Sequence, residues 1–162
     1  MDIQHVTNWF LMSNALDIQS NPQLADPLHP AKLQQLLYQA QGYYLATYEA
    51  RLIDEDVVTS PYGPSFSSIN TKYPDAFINT RPNDEIFQDY EKLEKLEDVS
   101  QILNLVYDTF GSESAVNLIN YSINQDPWLN YVEAKNLTNE AKQNGLVIPD
   151  GVIYKYFKEI TQ

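Results

Sequence analysis

The stretch from Leu28 to Ala46 constrains the fold of this chain more than any other segment. Pro30 suits the first position of a helix, because the amide hydrogen that proline lacks would have no helical partner there. Apolar residues then recur at helical spacing, which predicts a long central helix with one stripe facing the core. The stripe comprises Leu33, Leu36, Leu37, Ala40, Tyr44 and Thr47.

The segments on either side of this helix give a mixed pattern. Apolar residues at helical spacing predict a first helix from about Ile3 to Leu16. After the central helix, Arg51–Ile53 and Val57–Thr59 flank the acidic turn Asp54–Asp56, which predicts a small β-hairpin leaning on the helices. The proline-punctuated stretch Ser60–Asn83 is interpreted as a short helix and an ordered loop.

The second half of the chain is helical in pattern from Asp84 onward. Val99 to Phe110 form a strong apolar stripe, and Gly111 is expected to end that helix as its C-terminal cap. Ser112 can then cap the next helix, and a final helix is predicted from Pro149 to about Ile160. The predicted fold is mainly α with a small β-hairpin (α+β), in a single compact helical domain over residues 1–162.

The charge of the chain disfavours several classes of partner. Lys and Arg total 10 against 22 Asp and Glu, so the formal net charge is −12. Nucleic-acid phosphates would be repelled, whereas a basic protein would be attracted. The charged run from Glu91 to Asp98 is interpreted as an exposed helical face, or alternatively as a docking strip for such a partner. No segment predicts a signal peptide or a membrane span, so a cytoplasmic protein is expected.

The sequence contains no recognisable catalytic, metal-binding or cofactor-binding motif. The chain has no cysteine, and its two histidines, His5 and His29, are far apart in sequence. Asp54–Asp56 lacks the alternating oxygen ligands that a calcium loop requires. No nucleophile elbow, phosphate-binding loop or dinucleotide fingerprint occurs. We therefore predict no catalytic, metal or cofactor-binding residue, and no enzyme.

Two short motifs remain, each with a structural and a functional interpretation. Tyr62-Gly63-Pro64 predicts a chain reversal, because glycine before proline widens the backbone choices at a corner. Asp126-Pro127-Trp128 predicts a helix start, with Trp128 packing on the core beside Trp9. For Tyr62-Gly63-Pro64 the functional alternative is direct contact with a partner. Since tryptophan and tyrosine are enriched in binding hot spots, an exposed Trp128 would instead indicate a partner surface.

Together with Asn8-Trp9-Phe10-Leu11-Met12, these motifs and the Leu28–Ala46 run resemble the Panacea domain, also called the SocA-like antitoxin or phage-associated protein family. The chain departs from the family pattern in places. His29 stands where a capping Thr or Ser is usual, and Thr59 to Pro61 replace a segment that usually contains Ala-Trp. The family-motif and candidate partner-binding residues are Trp9, Leu33, Leu36, Leu37, Tyr38, Tyr62, Gly63, Pro64, Pro127 and Trp128.

The resemblance implies an antitoxin-like module that neutralises a partner toxin through direct protein–protein contact, and the acidic net charge favours a basic toxin. The alternative is a phage- or mobile-element-associated small-molecule-binding protein or enzyme, with its pocket between the hairpin and the central helix. A deep cleft ringed by converging ionisable groups would favour that alternative. The sequence leaves the oligomeric state and the identity of the toxin open.

Overall fold

The computed structural model of the chain describes residues 1–23, 25–73, 78, 81–124 and 145–162. The predicted helix at Asp126-Pro127-Trp128 lies outside these residues. Within them the fold is mainly helical and forms one core. The helices are α1 (Ile3–Ser20), α2 (Pro30–Tyr48), α3 (Ser67–Lys72), α4 (Asp84–Glu94), α5 (Glu97–Phe110), α6 (Ala115–Ile123) and α7 (Asp150–Ile160).

Helix α2 lies at the centre of the molecule, in contact with α1, α3, α5, α6 and α7. Its start follows the prediction: Pro30 opens the helix, and the Nδ1 atom of His29 accepts a hydrogen bond of 3.1 Å from the Ala31 amide. Histidine thus caps this helix in place of the usual Ser or Thr. Of the predicted stripe, Leu33, Leu36, Leu37 and Ala40 are buried, whereas Tyr44 is half-buried and Thr47 is exposed. Burial extends beyond the stripe to almost every side of α2 from Leu33 to Gly42, glutamines included.

Helix α1 packs mainly against α4. The indole ring of Trp9 is 1% exposed and stacks on Tyr90 with ring centroids 5.8 Å apart. Its Nε1 atom donates a hydrogen bond of 2.8 Å to Glu94. Glu94 therefore faces inward at this point, and the charged run from Glu91 to Asp98 is not a uniformly exposed helical face.

The predicted hairpin is not present, and no strand occurs within the described residues. The amide side chain of Gln41, buried on α2, binds the backbone that the hairpin would have used. Its Oε1 atom accepts from the amides of Leu52 and Ile53, at 3.0 and 2.9 Å, and its Nε2 atom donates to the Ile53 carbonyl at 3.1 Å. These backbone groups are satisfied without a neighbouring strand.

The other half of the predicted hairpin pairs elsewhere. Val58 forms isolated antiparallel bridges with Ser65 and with Val147. The Ile148 amide also donates to the Val57 carbonyl at 2.8 Å. The chain entering α7 is thereby attached to the segment that follows α2.

The helix ends were predicted with mixed success. Gly111 is the C-terminal cap of α5, although its backbone is right-handed, with φ −63°. Ser114, rather than Ser112, caps α6 by accepting a hydrogen bond of 3.1 Å from the Asn117 amide. Pro149 stands at the N-cap of α7. None of the helices in the described ranges combines the length and apolarity needed to cross a membrane.

Candidate functional site

The Tyr62-Gly63-Pro64 motif forms the predicted chain reversal. Gly63 has φ +99°, a backbone conformation that other residues rarely adopt. Its amide donates to the Ser60 carbonyl at 3.2 Å, and the Ser60 hydroxyl donates to the Gly63 carbonyl at 2.7 Å. Gly63 and Pro64 are buried, whereas Tyr62 is 67% exposed. The turn therefore holds one aromatic side chain out toward solvent.

Two buried glutamines of α2 fix the path of this turn and the chain after it. The Nε2 atom of Gln35 donates to the Tyr62 carbonyl at 3.1 Å, and its Oε1 atom accepts from the Ser122 hydroxyl. Gln34 accepts from the Phe66 amide at 2.8 Å and donates to the Phe66 carbonyl at 2.9 Å. Because both side chains are buried and hydrogen-bonded, they fix the backbone path of the turn and of the residues after it.

A cleft of about 1150 Å³ opens beside the turn, at the N-terminal end of α2, and we call it the α2 cleft. Its walls come from the C-terminal part of α1, the segment before α2, the Tyr62 turn, and the corner between α5 and α6. Its lining includes Asn14, Asp17, Asp26, Pro30, Lys32, Gln34, Gln35, Tyr62, Pro64, Ser65, Asn70, Tyr107, Asp108, Gly111, Glu113, Val116 and Ile119.

Four carboxylates and one ammonium group line the α2 cleft: Asp17, Asp26, Asp108, Glu113 and Lys32. Burial lowers the pKa of Lys32, and the negative charges of Asp17, Asp26 and Glu113 oppose that change. The cleft therefore has a formal excess of negative charge around a single, partly buried lysine.

The lysine and one of the carboxylates have hydrogen-bond partners at the edge of α5. The Lys32 ammonium donates to the Gly111 carbonyl, which satisfies a carbonyl at the end of α5. The Tyr107 hydroxyl donates to Asp17, and the pKa of Tyr107 is raised by burial first and by this hydrogen bond second. Both contacts tie the walls of the cleft together.

Ser65 adds a polar group that has no partner. It lines the α2 cleft, it is 4% exposed, and its hydroxyl makes no hydrogen bond within the described part of the chain. Its backbone is nevertheless paired with Val58, through N–O distances of 2.9 Å in both directions. A buried hydroxyl without a hydrogen bond costs free energy, so Ser65 is a position where a bound molecule could supply one.

The structure separates the predicted site residues into two groups. Tyr62 and Pro64 line the α2 cleft, with Gly63 buried in the turn between them. The motif residues on α1 and α2 are core residues instead, each no more than 2% exposed: Trp9, Leu33, Leu36, Leu37 and Tyr38. Pro127 and Trp128 lie outside the described residues. Partner binding by these residues stays a prediction, and among those described Tyr62 has the exposure for direct contact.

Sequence reasoning missed the rest of the cleft. Its carboxylates come from α1, the segment before α2, α5 and the α5–α6 corner, so no local motif joins them. The pocket of the alternative hypothesis was placed between the hairpin and the central helix, whereas the α2 cleft lies at the N-terminal end of that helix. Within the described ranges, no group of three or more His, Asp or Glu side chains is arranged to hold a metal ion.

Comparison with known proteins gives one match. The family model described as antitoxin SocA-like, Panacea domain, matches residues 33–129, which is more than half of the chain. The match includes most of α2, the Tyr62 turn, α5 and α6. Neither the curated proteins nor the solved structures contain a match to this chain.

Proposed function

Because this chain belongs to the SocA-like antitoxin family with the Panacea domain, we propose that it neutralises a partner toxin by direct protein–protein contact in the cytoplasm. The family implies a protein partner. The means of neutralisation and the surface used are our proposal, and the α2 cleft with its exposed tyrosine supports it.

The observation that carries the proposal is the position of Tyr62. An aromatic side chain that is 67% exposed lies on a turn whose backbone is fixed by Gln35 and by Ser60. Large aromatic residues dominate the binding energy of protein interfaces, and a rigid backbone reduces the entropy lost when a partner is bound. An exposed tyrosine held in this way suits an interface better than it suits catalysis.

Charge gives further support. The chain carries a formal net charge of −12, and four of its carboxylates line the cleft beside Tyr62. Complementary charge raises the rate of encounter with a basic protein and disfavours acidic partners. A basic toxin is therefore the partner that this surface fits.

The test is co-expression of the chain with the product of the adjacent gene. We expect the chain to restore growth to cells in which that product is toxic, and to co-purify with it. The matched variants are Tyr62→Ala and Phe87→Ala, since Phe87 is 45% exposed on α4 and does not line the cleft. Truncating a hot-spot aromatic costs at least about 2 kcal/mol, so Tyr62→Ala should raise Kd about thirtyfold.

Absence of both rescue and co-purification with the unaltered chain would count decisively against the antitoxin role. If the Tyr62→Ala and Phe87→Ala variants are both folded and bind with equal Kd, Tyr62 is not part of the interface. The circular dichroism spectra and melting temperatures of the two variants serve as the control for folding.

A second candidate function is favoured by one observation. The α2 cleft brings ionisable groups together around Lys32, whose pKa is lowered by burial, and such lysines occur in ligand sites and active sites. The cleft is also slightly larger than the ~300–1,000 Å³ of typical small-molecule pockets. A thermal-shift screen decides between the two, because a ligand that stabilises the isolated chain but not Lys32→Met would favour a small-molecule function.

A further inference from the structure

We infer that the α2 cleft receives an extended segment of the partner protein and that a Lys or Arg side chain of this segment lies among the cleft carboxylates. The inference rests on the proposed function and deepens it, because it names the surface and the chemistry of the partner. Three independent features of the cleft support it.

The first feature is unbalanced charge. Four carboxylates line the cleft, and Lys32 is the one Lys or Arg among its described lining residues, which also include His29. None of the four is in an ion pair within the described ranges. The side chains of Asp26 and Asp108 also accept no hydrogen bond there, so their oxygens are available to a cation from outside. An incoming ammonium or guanidinium group would form charge-assisted hydrogen bonds with these oxygens by replacing water, without breaking a hydrogen bond of the described structure.

The second feature is the hydroxyl of Ser65. It is buried, lines the cleft and makes no hydrogen bond within the part of the chain that the structure describes. Ser65 directly follows the Tyr62-Gly63-Pro64 reversal, whereas the carboxylates lie on the other walls of the cleft. The two observations are therefore independent. A serine hydroxyl both donates and accepts, and it can therefore pair with a peptide group or a basic side chain.

The third feature distinguishes a polypeptide from a simple cation. Tyr62 and Val116 line the same cleft and are 67% and 65% exposed. Apolar surface of this extent gains nothing from an inorganic ion, but it is covered when a peptide binds across it. A segment with one basic residue and neighbouring apolar residues satisfies both kinds of surface.

The test measures the Kd between the chain and the purified product of the adjacent gene, with two matched pairs of variants. The double variant D26N/D108N removes two cleft charges, and E91Q/E159Q removes two exposed charges that do not line the cleft. Each changes the formal net charge from −12 to −10. We expect the cleft variant to raise Kd about tenfold or more and the control to change it less than about twofold.

The second pair tests the hydroxyl. Ser65→Ala and Ser68→Ala each remove a buried hydroxyl that has no hydrogen-bond partner, but only Ser65 lines the cleft. Neither substitution should lower the melting temperature, because neither hydroxyl makes a hydrogen bond in the folded protein that the substitution could remove. Ser65→Ala should raise Kd several-fold, and Ser68→Ala should leave it unchanged.

The outcomes separate this inference from the function on which it rests. If the unaltered chain binds the adjacent gene product and the two charge pairs bind equally, the cleft is not the docking surface, although the antitoxin role survives. Equal Kd values for the two serine variants overturn the part assigned to Ser65. If the unaltered chain fails to bind at all, the proposed function itself falls, and this inference falls with it.

Discussion

Replacing Gly42 with alanine should loosen the packing of α7 on α2. An ideal Cβ atom at Gly42 would lie 2.1 Å from Cε2 and 2.3 Å from Cζ of Phe157, which is far inside van der Waals contact. The Phe157 side chain is 0% exposed. Its ring centroid lies 5.5, 5.0 and 5.1 Å from those of Tyr38, Tyr43 and Tyr156. The ring is enclosed by these neighbours and has no adjacent space into which it can move.

Two opposing effects set the size of the change. Alanine is favoured over glycine inside a helix by about 1 kcal/mol. Overpacking a well-filled core usually costs about 1–3 kcal/mol, and the distances at Gly42 place this site at the upper end. We therefore expect a net loss of about 1–2 kcal/mol in the free energy of unfolding. For a chain of this size, that loss lowers Tm by about 2–8 °C.

Gly151→Ala is the matched control, because Gly151 also lies in a helix, α7, and nothing lies within 4 Å of its ideal Cβ. The same substitution should raise stability there by up to about 1 kcal/mol. Urea unfolding followed by circular dichroism measures both variants. In a Phe157→Leu background the penalty at Gly42 should shrink, since the clashing ring is gone. If the Gly42→Ala and Gly151→Ala variants have equal free energies of unfolding, the steric argument is refuted.

The remaining predictions concern buried polar groups and one strained turn. Gln41→Leu leaves three backbone hydrogen-bonding groups of residues 52–53 without a partner, at roughly 1–3 kcal/mol each. Gln41→Glu keeps the acceptor, so its midpoint of urea unfolding should lie between those of the wild type and Gln41→Leu. Gly63→Ala should cost about 1–3 kcal/mol because its φ is +99°, and an unchanged Tm would contradict this. Burial first, and then its hydrogen bond to Asp98, raise the pKa of Tyr44 to about 12. The stability that Tyr44 contributes is therefore fully present below its unfolded-state pKa, near 10, and is lost as the pH rises through about 12. The difference in unfolding free energy between the wild type and Tyr44→Phe should narrow over that range, and a constant difference would exclude this linkage.

The helices were predictable where apolar residues recur at helical spacing. Val99, Ile102, Leu103, Val106 and Phe110 are all buried in α5, as their spacing indicates. In helix α2 the same reasoning found one apolar stripe but not the burial of the glutamines, because the spacing of apolar residues carries no information about polar ones. Their burial depends on loops that come from elsewhere in the chain, and those partners are not visible in a local pattern.

The hairpin error has the same origin. Leu52 and Ile53 are apolar and their backbone amides are bonded, as they would be in a strand, but both bond to the Gln41 side chain. A local apolar run shows that backbone groups are buried without showing which group satisfies them. The N-cap of α6 was assigned to Ser112 instead of Ser114 for a different reason. Serine is a good N-cap at both positions, and only the backbone path after Gly111 places Ser114 at the start of the helix.

The candidate site was predictable in part. Glycine before proline led to the turn, and with it to Tyr62. The α2 cleft could not be found in this way, because Asp26 and Asp108 belong to no local motif and come to line the same cleft only in the folded chain. Likewise, whether the Ser65 hydroxyl has a hydrogen-bond partner depends on all the atoms around it, which the sequence does not show.

The glutamines of α2 have a consequence for how such a protein can evolve. Gln34, Gln35 and Gln41 hold the connection between α2 and α3 at three points by hydrogen bonds to main-chain carbonyls, which every amino acid carries. Apart from Thr59 and Ser60, whose hydroxyls also bond to the backbone, the exposed side chains of this connection need not maintain its path. An exposed side chain such as that of Tyr62, which makes none of these bonds, can therefore change without displacing the turn, and the proposed partner surface can vary while α2 keeps the same scaffold.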